Sequence, residues 1–465
     1  MNTLILLSCL GIATLFTGIY NLRKLIIPVV IAGLLAALGF IIYDAREIIV
    51  HGADVHPIYS NMLYFDRYSL VFTGLLIVIT LLLFLFCEQE HRHEESHIAD
   101  SYGLILFSLV GGLLLSSYWN LAMLFLGIEI LSIPMYVLAG TRRKSLLSNE
   151  ASIKYFIMGA FSTGFLLFGI ALIYGTTLYF DLSGIRDYVM LHRGSLPLMF
   201  TAGLLLMVVG LGFKISAVPF HFWAPDVYEG SPTWVTSYMA TAVKVGAFAA
   251  FFRLFYHCFD SIGMVWETSV WIIAALTITL GNLVALYQKS VKRMLAYSGI
   301  ANAGYLLLAL LVMSERSADA LFYYLAAYSL ATLGAFAVLM VVEKVKDSSE
   351  YAAFSGLAHT NPLLAAAMTV SMLSLAGIPP LAGFFGKYYL FANAVQEGYI
   401  WIVVLAVINS LAGIYYYFKI IVAMFSKETF SVEINLRPAY TFALFLVAIL
   451  TLIAGILPQL VLSLL

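Results

Sequence analysis

Apolar runs of close to twenty residues recur along almost all of this 465-residue chain, and no motif restricts its fold as tightly. A helix needs about 20 apolar residues to cross the hydrocarbon core of a bilayer. Backbone N–H and C=O groups in lipid must also find partners inside the protein. The runs fall at 4–20, 25–43, 68–87, 102–118, 120–139, 153–174, 197–218, 232–256, 269–287, 291–311, 318–342, 361–390, 399–424 and 438–460. They predict an all-α polytopic membrane protein of about fourteen spans in one transmembrane domain, with the polar stretch 44–67 as a loop. Charge agrees: 11% of the residues are charged, against about 25% in a soluble domain.

Several function classes drop out. A net charge of -1 gives no sign of a nucleic-acid partner. Cys9, Cys87 and Cys258 stand apart in apolar surroundings and form no CxxC pair or iron–sulfur ligand run. No glycine-rich nucleotide motif follows a strand-like segment, so cofactors are expected on other chains. The first apolar run ends in Asn21-Leu22-Arg23-Lys24 and reads as a retained helix, not a cleaved signal. His93-Glu94-Glu95-Ser96-His97 matches a zinc-protease pattern, but it sits in a charged stretch between two spans and reads as a solvated loop; no metal site is expected.

Loop charge sets the expected orientation. Arg142, Arg143, Lys144, Lys289, Lys292, Arg293, Lys344 and Lys346 belong to one set of loops, and the sparser set holds Arg46, Arg67, Arg186, Arg193 and Arg316. The Lys/Arg-rich side is the cytoplasmic one, which predicts both termini outside.

Two spans are interrupted alike. The seventh runs through Gly212-Phe213-Lys214 to Pro219, and the twelfth contains Gly377-Ile378-Pro379-Pro380, then Lys387. Proline removes an intrahelical hydrogen bond and clashes with the preceding turn. Broken helices at matching places in two halves point to an inverted repeat around a midplane site. The expected divisions are 1–100 (N-terminal helices), 101–256 (first repeat), 257–425 (second repeat) and 426–465 (C-terminal helix).

Few ionisable residues lie deep in apolar spans: Glu129, Lys214, Lys244 and Lys387, with Arg253 and Lys419 nearer helix ends, where they are expected to snorkel. A charge at a helix centre costs about 2.5–3.5 kcal/mol and usually faces an interior pathway. Glu129 has no opposite charge within two turns, and Lys214 is its expected partner. At an effective dielectric of about 20, moving a counter-charge from about 4 to about 8 Å changes the interaction by about 2 kcal/mol. A row of lysines biased this way suits proton transfer. His221, Asn282, Tyr297, Ser298, Asn302, Tyr305, Tyr328, Ser329 and Thr332 are candidate relay or packing groups.

The stretch Gly212-Phe213-Lys214-Ile215-Ser216-Ala217-Val218-Pro219-Phe220-His221-Phe222-Trp223-Ala224-Pro225-Asp226-Val227-Tyr228-Glu229-Gly230 resembles the antiporter-like subunits of respiratory complex I. Pro225 to Gly230 is similar to the subunit N branch in particular, while Lys289 to Ser298 and Gly377 to Lys387 resemble the antiporter-like family as a whole. Lys387 favours that branch over subunit M. The resemblance implies a bacterial cytoplasmic-membrane subunit of the proton-translocating NADH–quinone oxidoreductase, with Glu129, Lys214, Lys244 and Lys387 carrying protons. It further implies subunit M and the small membrane subunits as neighbours, and FMN, iron–sulfur clusters and quinone on partner chains. Gly299 and Asn302 depart from the family wording, which has a second serine and a histidine there. A subunit of a multi-subunit Na⁺/H⁺ antiporter or of a membrane-bound hydrogenase complex is the alternative.

Overall fold

The computed structural model describes residues 2–20, 22–51, 58–90, 98–427, 430 and 432–464. Three helices come first: α1 (Asn2–Ile19), α2 (Arg23–His51) and α3 (Arg67–Glu90). A five-span unit follows, made of α4 (Ile98–Ser117), α5 (Leu121–Ala139), α6 (Leu146–Thr177), a broken seventh span and an eighth. A short helix, α7 (Leu182–Leu191), leads into the seventh span, α8 (Leu198–Lys214) plus α9 (Trp223–Gly230). The eighth is α10 (Thr233–Tyr238), a π-helical turn over Met239–Val243, and α11 (Lys244–Leu254).

The second unit repeats this order: α12 (Gly263–Leu286), α13 (Val291–Val312) and α14 (Glu315–Lys346). After a short α15 (Leu357–Thr360) comes the second broken span, α16 (Pro362–Ala376) plus α17 (Ala382–Gln396), and then α18 (Ile400–Met424). The chain closes with α19 (Pro438–Ile456) and α20 (Gln459–Leu462). Among the described residues eleven stretches are long and apolar enough to cross a membrane, one of which, Thr233–Leu286, folds as two spans. The two broken helices bring the number of spans to fourteen.

Local chemistry sets the helix ends. Asn120, Ser145, Ser290 and Ser314 accept from first-turn amides of α5, α6, α13 and α14, which satisfies donors that have no partner within the helix. At the breaks, side chains take over the freed backbone groups. The Val218 amide donates to Thr277 Oγ1 at 2.9 Å, the Trp223 indole N–H donates to the Phe213 carbonyl at 3.1 Å, and the Gly383 amide donates to Ser374 Oγ at 3.2 Å. Irregular backbone at membrane depth persists only with such partners.

Packing reproduces the two units pair by pair. Helix α4 packs on α5 and α11 as α12 packs on α13 and α18. Helix α6 packs on α5, α8 and α9 as α14 packs on α13, α16 and α17. Because the units are offset by five spans, an odd number, the second is inverted relative to the first.

Three expectations need correction. Helix α2 runs on to His51, so part of the expected loop 44–67 is helical; Ala45, Arg46 and Glu47 are good helix formers with nothing to stop the helix there. The amphipathic α7 escaped notice because ten residues are too few for a span; Asp181 caps it by accepting from the Gly184 amide. Arg253 does not snorkel, since it is 1% exposed. The segment His93 to His97 lies outside the described residues.

Candidate functional site: a line of buried lysines

Glu129 is half-buried on α5, and Ser132 and Tyr136 lie three and seven residues further along, on the same face. Lys214, the last residue of α8, is 3% exposed. Its ammonium donates to Ser132 Oγ at 3.0 Å and sits 3.1 Å from the Tyr136 hydroxyl. The expected partner of Lys214 was Glu129, yet no contact within 4.0 Å joins them; the ammonium is held instead by the two hydroxyls one and two turns further along α5.

Lys244 opens α11 directly after the π-helical turn and is 2% exposed. Such a turn adds a residue to one helical turn and is common at functional sites. The ammonium donates to the Gly299 carbonyl at 2.5 Å and lies 5.7 Å from the centre of the Tyr328 ring. Lys387, on α17, is 8% exposed and donates to the carbonyls of Leu375 and Ala376 at 3.1 and 3.2 Å. These are the last carbonyls of α16, the negative end of that half-helix. The Tyr305 ring lies 5.1 Å from the same ammonium.

The two terminal lysines occupy different places in sequence. Lys214 precedes its break, whereas Lys387 follows its own. Aligning Pro219 with Pro380 places Leu375 opposite Lys214, and Leu375 is the residue whose carbonyl holds the Lys387 ammonium. The charge returns in space to the position that its own repeat leaves apolar.

Between Lys244 and Lys387 runs a hydroxyl and amide network. Asn302 accepts from the Tyr324 hydroxyl and donates to the Ser298 carbonyl at 2.8 Å. Ser298 Oγ is 2.5 Å from the Tyr417 hydroxyl, whose ring packs 4.5 Å from Tyr416. The Tyr416 hydroxyl donates to Asn282 Oδ1 at 2.9 Å, and Asn282 donates to the Tyr305 hydroxyl at 3.0 Å. Tyr324 and Tyr328 stand one turn apart on α14.

Not every candidate joins this line. Tyr297 is half-buried with no hydrogen bond, because its position on α13 faces away from Ser298 and Asn302. His221 lies in the first break with Nδ1 unpartnered, against the Phe222 ring. Ser329 and Thr332 have buried hydroxyls without partners. Tyr416 and Tyr417 were missed, since three consecutive tyrosines in α18 look like an apolar span. The i, i+3, i+7 spacing of Glu129, Ser132 and Tyr136 could have revealed the Lys214 ligands.

Residues 119–413 match the family model described as NADH:quinone oxidoreductase/Mrp antiporter, transmembrane. Over its full length the chain is 45% identical to NADH-quinone oxidoreductase subunit N of Cytophaga hutchinsonii, covering 99% of that protein. It is 43% identical to the subunit N of Flavobacterium johnsoniae, covering 100% of each. The chain belongs to the subunit N family of NADH-quinone oxidoreductase. Its fold is similar to a chain of respiratory complex I from Thermus thermophilus with bound aureothin: the TM-score is 0.83 at 35% identity, with 99% of this chain and 98% of that one covered. A chain of an archaeal membrane-bound sulfane sulfur reductase gives a TM-score of 0.88 at 26% identity, covering 100% of this chain and 96% of its own. For the Mrp complex of Dietzia the values are 0.86 and 22%, with 100% and 96% covered, which marks a shared fold.

Proposed function

We propose that this member of the subunit N family translocates protons in the membrane arm of NADH-quinone oxidoreductase, with Glu129, Lys214, Lys244 and Lys387 as proton-exchanging groups. One observation carries the reading: three lysine ammonium groups in the membrane core are held by neutral groups only, namely hydroxyls, backbone carbonyls and aromatic rings. A static buried ion pair needs a carboxylate in contact, and removing one partner is strongly destabilising. Hydroxyl ligands accept from an ammonium and donate to an amine, so the Lys214 site stays satisfied in either protonation state. Carbonyl ligands are served by the remaining N–H donors of an amine.

The N-terminal end of α10, where Thr233, Arg142 and Lys292 gather around Glu343, supports an inner route to Lys244. Lys292 is 1% exposed, donates to the Ser231 carbonyl at 2.7 Å and lies 3.7 Å from Glu343. Between it and Lys244 the buried hydroxyls of Tyr228, Ser231 and Ser237 have no protein partner, which suits ordered water. In this reading the two repeats, 101–256 and 257–425, each contribute carriers to one line, Lys214 and Lys244 from the first and Lys387 from the second. NADH oxidation, flavin, iron–sulfur clusters and quinone reduction belong to partner subunits, with subunit M and the small membrane subunits alongside. Both termini lie on the outer side of the cytoplasmic membrane.

The test is Lys244→Met in the intact complex, reconstituted in liposomes. Assembly should be retained while protons pumped per electron fall; an unchanged ratio with full turnover overturns the reading.

A further inference from the structure

The lysine line leaves one buried cation unused. Arg253 pairs with Asp66 at 2.5 Å, and its guanidinium stands 5.0–6.0 Å from the rings of Tyr64, Tyr68 and Trp119. Its Nε and Nη1 are buried with no hydrogen-bond partner. The residue borders a cleft of about 440 Å³ lined also by Asp66, Arg67, Tyr256, His257 and Asp319. Arg67 and Arg316 place these helix ends on the expected outer face, and such a polar cleft has room for a cluster of waters.

Depth connects this cleft to Lys244. Arg253 lies nine residues beyond Lys244 on α11, about 14 Å along the axis. Asp319 precedes Tyr328 by nine residues on the antiparallel α14, again about 14 Å. Lys244 and Tyr328 meet, so both helices descend from the cleft to the same point. A chain of four rings starts at the cleft wall, which Phe252 and Tyr68 also line: Phe252 stacks on Tyr68 at 6.1 Å, Tyr68 lies tilted against Phe72 at 4.4 Å, and Phe72 meets Phe322 edge-on at 5.3 Å.

We propose that the Asp66–Arg253 cleft is the outer release port for the proton carried by Lys244, and that the Phe252–Tyr68–Phe72–Phe322 stack is its dry gate. The inference rests on Lys244 being a carrier. When the stack parts and wets, the Lys244 ammonium gives its proton to a water chain that ends at the Asp66 carboxylate and bulk water, leaving a neutral amine. Apolar constrictions gate by dewetting, and a fixed positive group opposes cation entry. Arg253 supplies that charge and positions Asp66.

The experiment uses the whole complex in proteoliposomes. In a Cys9→Ser background, Ala318→Cys on the cleft wall should react with a membrane-impermeant thiol reagent from the outer face; reaction from the inner face alone overturns the port. Phe322→Ala and the milder Phe322→Leu should raise passive proton conductance without NADH, more for alanine than for leucine, with uncoupled quinone reduction retained. No added leak in either variant, at retained quinone reduction, overturns the gate. Adding Lys244→Met should abolish the leak; a leak that survives it overturns the link to Lys244. If Lys244→Met alone pumps normally, the carrier reading itself has failed. If it stops pumping while Phe322→Ala adds no leak, only the port has failed.

Discussion

Gly377 and Gly398 both hold left-handed backbone, with φ of +83° and +87°, but only one of them touches a lysine. An added Cβ at Gly377 meets Lys387 Cδ at 3.1 Å and Nζ at 3.4 Å, whereas at Gly398 it meets nothing within 4 Å. Alanine at either position forces a side chain into left-handed geometry, at about 1–2 kcal/mol. Gly377→Ala adds a second effect by pushing the Lys387 stem away from the Leu375 and Ala376 carbonyls. A hydrogen bond from a charged donor is worth about 1.5–3 kcal/mol, and about 1.4 kcal/mol is tenfold in rate. Gly398→Ala therefore measures the backbone alone. Both variants should lower the thermal stability of the complex to a similar degree, while Gly377→Ala alone slows coupled turnover about tenfold. The assay is NADH-driven proton uptake into sealed vesicles, normalised to assembled complex. Equal turnover in the two variants would refute the claim that the end of α16 positions Lys387.

Glu129→Gln should leave the complex assembled and sharply lower protons pumped per electron, read in the same vesicles; normal pumping would leave Glu129 a packing role. Asn302→Ala strips the Tyr324 hydroxyl of its acceptor, so stability should fall by about 1–3 kcal/mol and proton uptake should slow; unchanged melting and uptake would remove Asn302 from the line. Cysteines introduced in place of Arg142 to Lys144 should be labelled from the cytoplasmic side only, and labelling from outside would reverse the topology.

Much of the architecture could be read from the chain because bilayer thickness imposes one length scale on every span. Helix breaks were visible at Pro219 and Pro379 because proline has no N–H to donate. Glu129 and the three buried lysines stood out for a similar reason: ionisable groups are rare in apolar runs. Their ligands did not stand out. Ser132 and Tyr136 are ordinary in a span, as is Tyr417, the partner of Ser298; only the approach of Lys214 to α5, and of α13 to α18, gives these hydroxyls a task. Arg253 was misjudged from its place near a helix end, since its burial comes from rings supplied by Tyr64, Tyr68 and Trp119, far away in sequence.

The return of Lys387 to the carbonyl of Leu375 bears on how this architecture can change over time. A carrier need not occupy a fixed column of an alignment if its tip reaches a fixed point in space. A long flexible stem lets the anchoring residue migrate across a helix break, from before the prolines to after them, while the ammonium keeps its address. Homologous chains compared column by column would register such a migration as loss in one place and an unrelated gain in another. Compared by the coordinates of the nitrogen, they would register no change at all.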